Sequence, residues 1–234
     1  MANAPEILNG SIVLMGAFAP AMFTPDWFFQ NKLIGDVDLQ EMKQQENFLN
    51  ASSIAQLECK SFSLQITGTR FQIISKDVLR PTINDVAKGV ISLLGRVVIT
   101  SAGINFMAHY SMPSEGEYHA VGDTLVPKGI WKELFPQDDW SAGLTDLAVK
   151  IRFAPRSAPD DDGSGITIRV QPSGKLDLNG VLLTYNNHCN FDPQKFTDEL
   201  AYKFLDEQWD EGFKRSAQVF EQLLDLSSKA GKKQ

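Results

Sequence analysis

The chain closes on a segment that constrains everything before it. "FDPQKFTDELAYKFLDEQWDEGFKRSAQVFEQLLDL" runs from Phe191 to Leu226. Phe196, Leu200, Phe204, Trp209, Phe213, Ala217, Phe220 and Leu224 form an apolar stripe at spacings of three to five, the mark of an amphipathic helix. Asp192 as N-cap and Pro193 at the first helical position predict where it begins. A helix of about 32 residues, rising about 1.5 Å each, is about 48 Å long. Gly212 is expected to bend or divide it, because glycine costs ~1 kcal/mol inside a helix. Such a rod needs a broad apolar surface to lie on.

Period-two segments supply that surface. "SIVLMGAF" (Ser11 to Phe18) reads as a first strand. In "CKSFSLQITGTRFQIIS", Phe62, Leu64 and Ile66 alternate with Ser63 and Gln65, and Gly68 turns the chain into a hairpin. "RVVITSAGINFMAHY" predicts a long strand with one apolar face and one mixed face, as antiparallel sheets allow. "LTDLAVKIRFAP", "ITIRVQ" and "LDLNGVLLTYN" read as a three-stranded meander joined by the turn-rich "RSAPDDDGSG" and "PSGK". Helices are expected from Asp26 to Leu33, along "PTINDVAKGVISLLG" with Thr82 as cap, and from Gly129 to Phe135. The polar stretch Asp36 to Asn50 is compatible with helix or loop. Few helices among runs of strands give an α+β fold: a mostly antiparallel sheet, helices on one face and a long C-terminal amphipathic helix. One domain over residues 1–234 is the first reading, and a subdivision near 112–140 the second.

Composition then limits function. Among 234 residues, 43% are hydrophobic, and the formal net charge is −7. That balance opposes non-specific nucleic-acid binding, which needs clustered Lys and Arg. The one basic cluster, Lys229, Lys232 and Lys233, lies in the tail. The apolar run near the N-terminus is preceded by no Lys or Arg and is interrupted by Gly16 and Pro20. A signal peptide and a membrane span are therefore not expected, and a cytoplasmic setting is. Cys59 and Cys189 are far apart and form no CxxC, so no disulfide framework is expected.

The motifs that would announce chemistry do not occur: no phosphate loop, no nucleophile elbow, no HExxH. "APDDDGSG" fails as an EF-hand, since its twelfth position is Arg169. His188 and Cys189 are neighbours in "TYNNHCNFDPQ", but adjacent strand residues face opposite ways, so they cannot act as a dyad. Cys189 should project with Val181, Leu183 and Tyr185. His188 should project with Leu182, Thr184 and Asn186, so its partners must come from other strands, His109 first among them. His109 and His119 could meet at the mouth of a hairpin. Trp27, Phe28, Trp131, Phe135 and Trp140 could line a pocket or an interface. The candidate binding residues are thus His109, His188, Trp27 and Phe28, with no catalytic residue, metal or cofactor assigned.

Three segments carry a resemblance: "AGINFMAHY", "GVLLTYNNHCNFD" and "LDEQWDEGFKRSAQVFEQLL". They resemble a sporadically distributed family of uncharacterised bacterial proteins. The family shows an aromatic before Asn where this chain has Asn105 before Phe106, and it is more acidic at Asn186–Asn187. The resemblance implies a mobile or defence-associated gene context and no specific activity.

The leading expectation is a non-enzymatic protein that binds another protein, as a complex subunit or a homo-oligomer, with no nucleic-acid or membrane partner. The alternative is a helix-grip protein holding a small molecule between sheet and long helix. An enzyme built on His109, His119 or His188 comes third.

Overall fold

The computed structural model describes residues 4–45, 49–76, 82–95, 97–135, 142–152, 163–176 and 178–231. Nine strands form one sheet: β1 (Ile7–Gly16), β2 (Leu49–Asn50), β3 (Ile54–Glu58), β4 (Phe62–Thr67), β5 (Arg70–Ser75), β6 (Ile99–Ser111), β7 (Leu147–Ile151), β8 (Gly165–Pro172) and β9 (Gly180–Asn190). Their order across the sheet is β2-β3-β4-β5-β1-β6-β9-β8-β7. Every neighbouring pair is antiparallel. β1 and β6 form the centre, and a meander extends from each.

Among the described residues, six α-helices accompany the sheet: α1 (Pro25–Gln30), α2 (Asp36–Lys43), α3 (Thr82–Leu94), α4 (Glu115–Leu125), α5 (Gly129–Leu134) and α6 (Asp198–Gly231). The expected α+β architecture holds, including the single helical face and the long final helix. Register divides the side chains cleanly. Leu14, Ala102 and Cys189 lie in one row, Ile12, Ile104 and Asn187 in the next, and Phe106 opposes Tyr185 in a third. All project toward the helices.

On that face Phe106 meets α6 directly. Its ring centroid is 5.1 Å from that of Trp209 and 5.7 Å from that of Phe213. α3 and α4 flank α6 on either side. Lys88 of α3 donates to Asp206 of α6 at 2.9 Å, and its ammonium lies 5.4 Å from the Tyr202 ring centroid. Burial alone would lower the Lys88 pKa, but the Asp206 hydrogen bond and charge outweigh it and the pKa is raised.

Several expected boundaries move for local reasons. Asp192 caps a turn, not the helix: its carboxylate accepts from Gln194 N at 2.9 Å and its carbonyl from Lys195 N at 3.0 Å. α6 begins only at Asp198. It runs through Gly212 without division, for 34 residues, or about 51 Å. Its buried line is Ala201, Leu205, Trp209, Gly212, Ser216, Phe220 and Leu224, whereas Leu200 and Ala217 are exposed. The span Asp36 to Asn50 contains α2 and the short strand β2, and β3 and α4 were not anticipated. The acidic loop Asp160–Asp162, Trp140, Lys232 and Lys233 lie outside the described residues.

Candidate functional site

The helices that pack on the sheet lie on one side of it, and among the described residues the other side carries side-chain rows alone. Glu58, Ser63, Ile74, Ser11, Asn105, Asn186, Thr167 and Lys150 follow one another across eight strands in a single row. The neighbouring row reads Gln56, Gln65, Gln72, Val13, Gly103, His188, Gly165. This face is dominated by amides and hydroxyls. Asn186 Nδ2 donates to Asn105 Oδ1. His188 Nε2 lies 2.9 Å from Asn190 Oδ1. Gln56, Gln65 and Gln72 stand side by side on three adjacent strands and, with Glu58, Ser63 and Ile74, line a groove of about 650 Å³.

His109 and His188 share this open face but do not meet. His109 is opposite Leu182, six residues before His188 on β9, a separation of about 20 Å at about 3.4 Å per residue. His109 is buried, and its Nδ1 is 2.8 Å from Ser173 Oγ. That hydroxyl already accepts from the backbone N–H groups of Lys175 and Leu176, at 3.2 and 3.1 Å. Its own proton is then the one directed at His109, so Nδ1 accepts and Nε2 carries the ring proton. Burial, followed by the Lys175 charge, lowers the His109 pKa and favours this neutral form. His109 therefore ties β6 to the turn between β8 and β9. His119 sits elsewhere, on α4, 3.5 Å from Glu115 of its own helix.

Phe28 takes a core position, and Trp27 packs half-buried against it. Thr24 caps α1 by accepting from Trp27 N at 3.1 Å, and Pro25 opens the helix. The Trp27 ring is 5.1 Å from Phe23 and 5.0 Å from Phe28, and Phe28 is fully buried. Together they anchor α1 onto Phe71 of β5 through Phe23.

Among the described residues, the one group of three potential metal ligands is Asp38, Glu41 and Cys59. Its donors are already engaged. Glu41 Oε2 accepts from Lys60 N at 2.8 Å, Asp38 Oδ2 from Gly35 N at 3.3 Å, and Cys59 donates to Phe62 O. Burial pushes the Cys59 thiol up to about 11. The cluster joins α2 to the turn between β3 and β4. Between α4 and β8–β9 lies a cavity of about 90 Å³, lined by Tyr118, Val121, Leu144, Val170 and Val181. That is well below the few hundred Å³ a helix-grip ligand needs, and beneath the middle of α6 the rings of Phe106, Tyr185 and Trp209 occupy the interface.

Two elements stand out by their exposed apolar side chains. On and just after α5, Ile130 is 61%, Trp131 41%, Leu134 62% and Phe135 57% exposed. On β7, Val149 and Ile151 are each 48% exposed. These account for six of the fifteen exposed large hydrophobic residues among those described. β7 ends the sheet, so its outer backbone edge is unpaired by any described strand. Trp131 and Phe135 were legible as interface candidates; the β7 edge was not, because a short alternating segment gives no sign of its rank in the sheet.

No protein-family model matches the chain, and comparison with curated proteins finds no match.

Proposed function

We propose that the protein acts by binding another polypeptide, as a subunit of a complex or as a homo-oligomer, through the exposed apolar side chains of α5 and of β7. The observation that carries this reading is the concentration of large apolar side chains at Ile130, Trp131, Leu134, Val149 and Ile151. Large apolar side chains left exposed in groups mark interaction sites. Aromatic residues such as Trp131 are enriched at interface centres. The three histidines support a non-catalytic reading, since they lie apart and His109 is bound into a turn. No described helix is long and apolar enough to cross a membrane.

The test is affinity capture by the tagged full chain, compared with an Ile130→Asp/Leu134→Asp variant. Partners, or untagged copies of the chain, that bind the wild type and are lost with the variant support the reading. Equal capture by both sinks it.

A second reading has its own observation. The groove over Gln56, Gln65 and Gln72 is large enough for a small polar ligand, which moves the ligand-binding alternative from beneath the helix to the open face. A thermal-shift screen with Gln65→Trp as the filled-groove control tests it: a ligand that stabilises the wild type but not the variant would support a site there.

A further inference from the structure

Resting on the reading of β7 as a binding element, we infer that the occupant of its free edge is a second copy of this chain, paired antiparallel about a twofold axis through Val149. No described strand pairs with this edge, whose row of backbone donors and acceptors is a template for another strand. β7 carries no proline or glycine to interrupt such pairing, and its residues from Ala148 to Arg152 are exposed.

The sequence of β7 is self-complementary in one register. With Val149 opposite Val149 of the second copy, Leu147 faces Ile151 and Ala148 faces Lys150, so all five strand residues pair. Asp146 then faces Arg152, placing opposite charges across each end of the ladder. Directly opposed residues project from the same face. Leu147, Val149 and Ile151 would therefore form one apolar band with their copies on the helical side. Asp146, Lys150 and Arg152 would stay on the open side, where Asp146 already meets Arg169 Nε at 3.3 Å. The neighbouring in-phase registers are poorer. An axis through Lys150 sets two ammonium groups against each other, and an axis through Ala148 leaves Ile151 opposite Thr145. A twofold edge pairing joins two nine-stranded sheets into one and satisfies both edges together.

The test uses the full chain with Cys189→Ser, leaving the buried Cys59 in place. Val149→Cys should give a disulfide-linked dimer under mild oxidation, because the axis places position 149 against itself at a separation a disulfide can span. Leu147→Cys alone should not link, but should do so when mixed with Ile151→Cys, a second route if the Val149 variant fails to fold. Arg152→Asp should weaken dimerisation about tenfold, and Arg152→Lys should leave it near wild type. A monomer by light scattering that gives no Val149→Cys link overturns the inference. So does a dimer that forms without either link. In both cases the wider binding reading stands or falls separately, on capture that depends on Ile130 and Leu134.

Discussion

Gly212 of α6 lies against the ring of Phe106 in β6: a Cβ at position 212 would sit 3.2 Å from Phe106 Cε2 and 3.8 Å from Tyr185 Cε1. The absent side chain lets the helix backbone approach the centre of the sheet. Ser216, four residues on and buried, continues the line of small residues and returns its hydroxyl to Phe213 O at 2.8 Å. Gly212→Ala sets a gain in helix propensity of ~1 kcal/mol against mild crowding. It should leave stability within about 1 kcal/mol. Gly212→Leu must displace Phe106 or the helix and should cost ~1–3 kcal/mol. Urea unfolding of the two variants measures the difference; equal midpoints would contradict this packing.

Much of this was legible in the sequence, and the exceptions share a cause. The alternation around Phe62, in "AGINFMAHY" and in "ITIRVQ", and the stripe from Trp209 to Leu224, report which face is buried, and the sheet and α6 follow from them. The phase of β9 could be read too: His188 falls in one row with Val13 and Gly103, and Cys189 opposes Ala102 on the other face. What could not be read is which of several available partners a residue takes. Asp192 and Pro193 look like a helix start, yet the carboxylate closes a local turn first. Gly212 looks like a break, yet packing against Phe106 outweighs its propensity. Phe28 looks available in a run of three aromatics, yet it packs fully buried beside Phe23, with Trp27 half-buried against both.

The neutral state of His109 gives a pH dependence with a defined sign. Its folded pKa lies below the ordinary 6.5 because of burial and Lys175. The unfolded chain therefore binds a proton more readily in the window from pH 6.5 down to the folded value. Stability is full above that window and falls as pH drops through it. His109→Gln removes this dependence, so the difference in Tm between wild type and variant should shrink as pH falls from 7.5 to 5. An unchanged difference would mean that His109 does not carry it.

The two thiols should behave differently. With Cys59 pushed up to about 11, only about one in a thousand of its side chains would be thiolate at pH 8, and the sulfur is buried. Cys189 is partly exposed. Titration with a disulfide reagent in native buffer should modify Cys189 first and leave Cys59 intact; both should react in denaturant. Rapid labelling of Cys59 in the native protein would contradict its placement.

The open face is expected to tolerate one added methyl group at its centre. A Cβ at Gly103 would meet Asn186 Nδ2 at 3.5 Å and His188 Nδ1 at 3.9 Å, both ordinary contacts. Gly103→Ala should then change stability by no more than about 0.5 kcal/mol. A larger loss on thermal unfolding would show that this face is packed more tightly than the rows imply.

The most direct test of the account is hydrogen exchange along Leu147–Ile151 at two protein concentrations. The edge pairing requires these amides to exchange slowly where the chain is dimeric, and to lose protection on dilution as the mass falls toward 26.0 kDa. Exchange along β7 that is the same at both concentrations, in a protein of 26.0 kDa throughout, would contradict it.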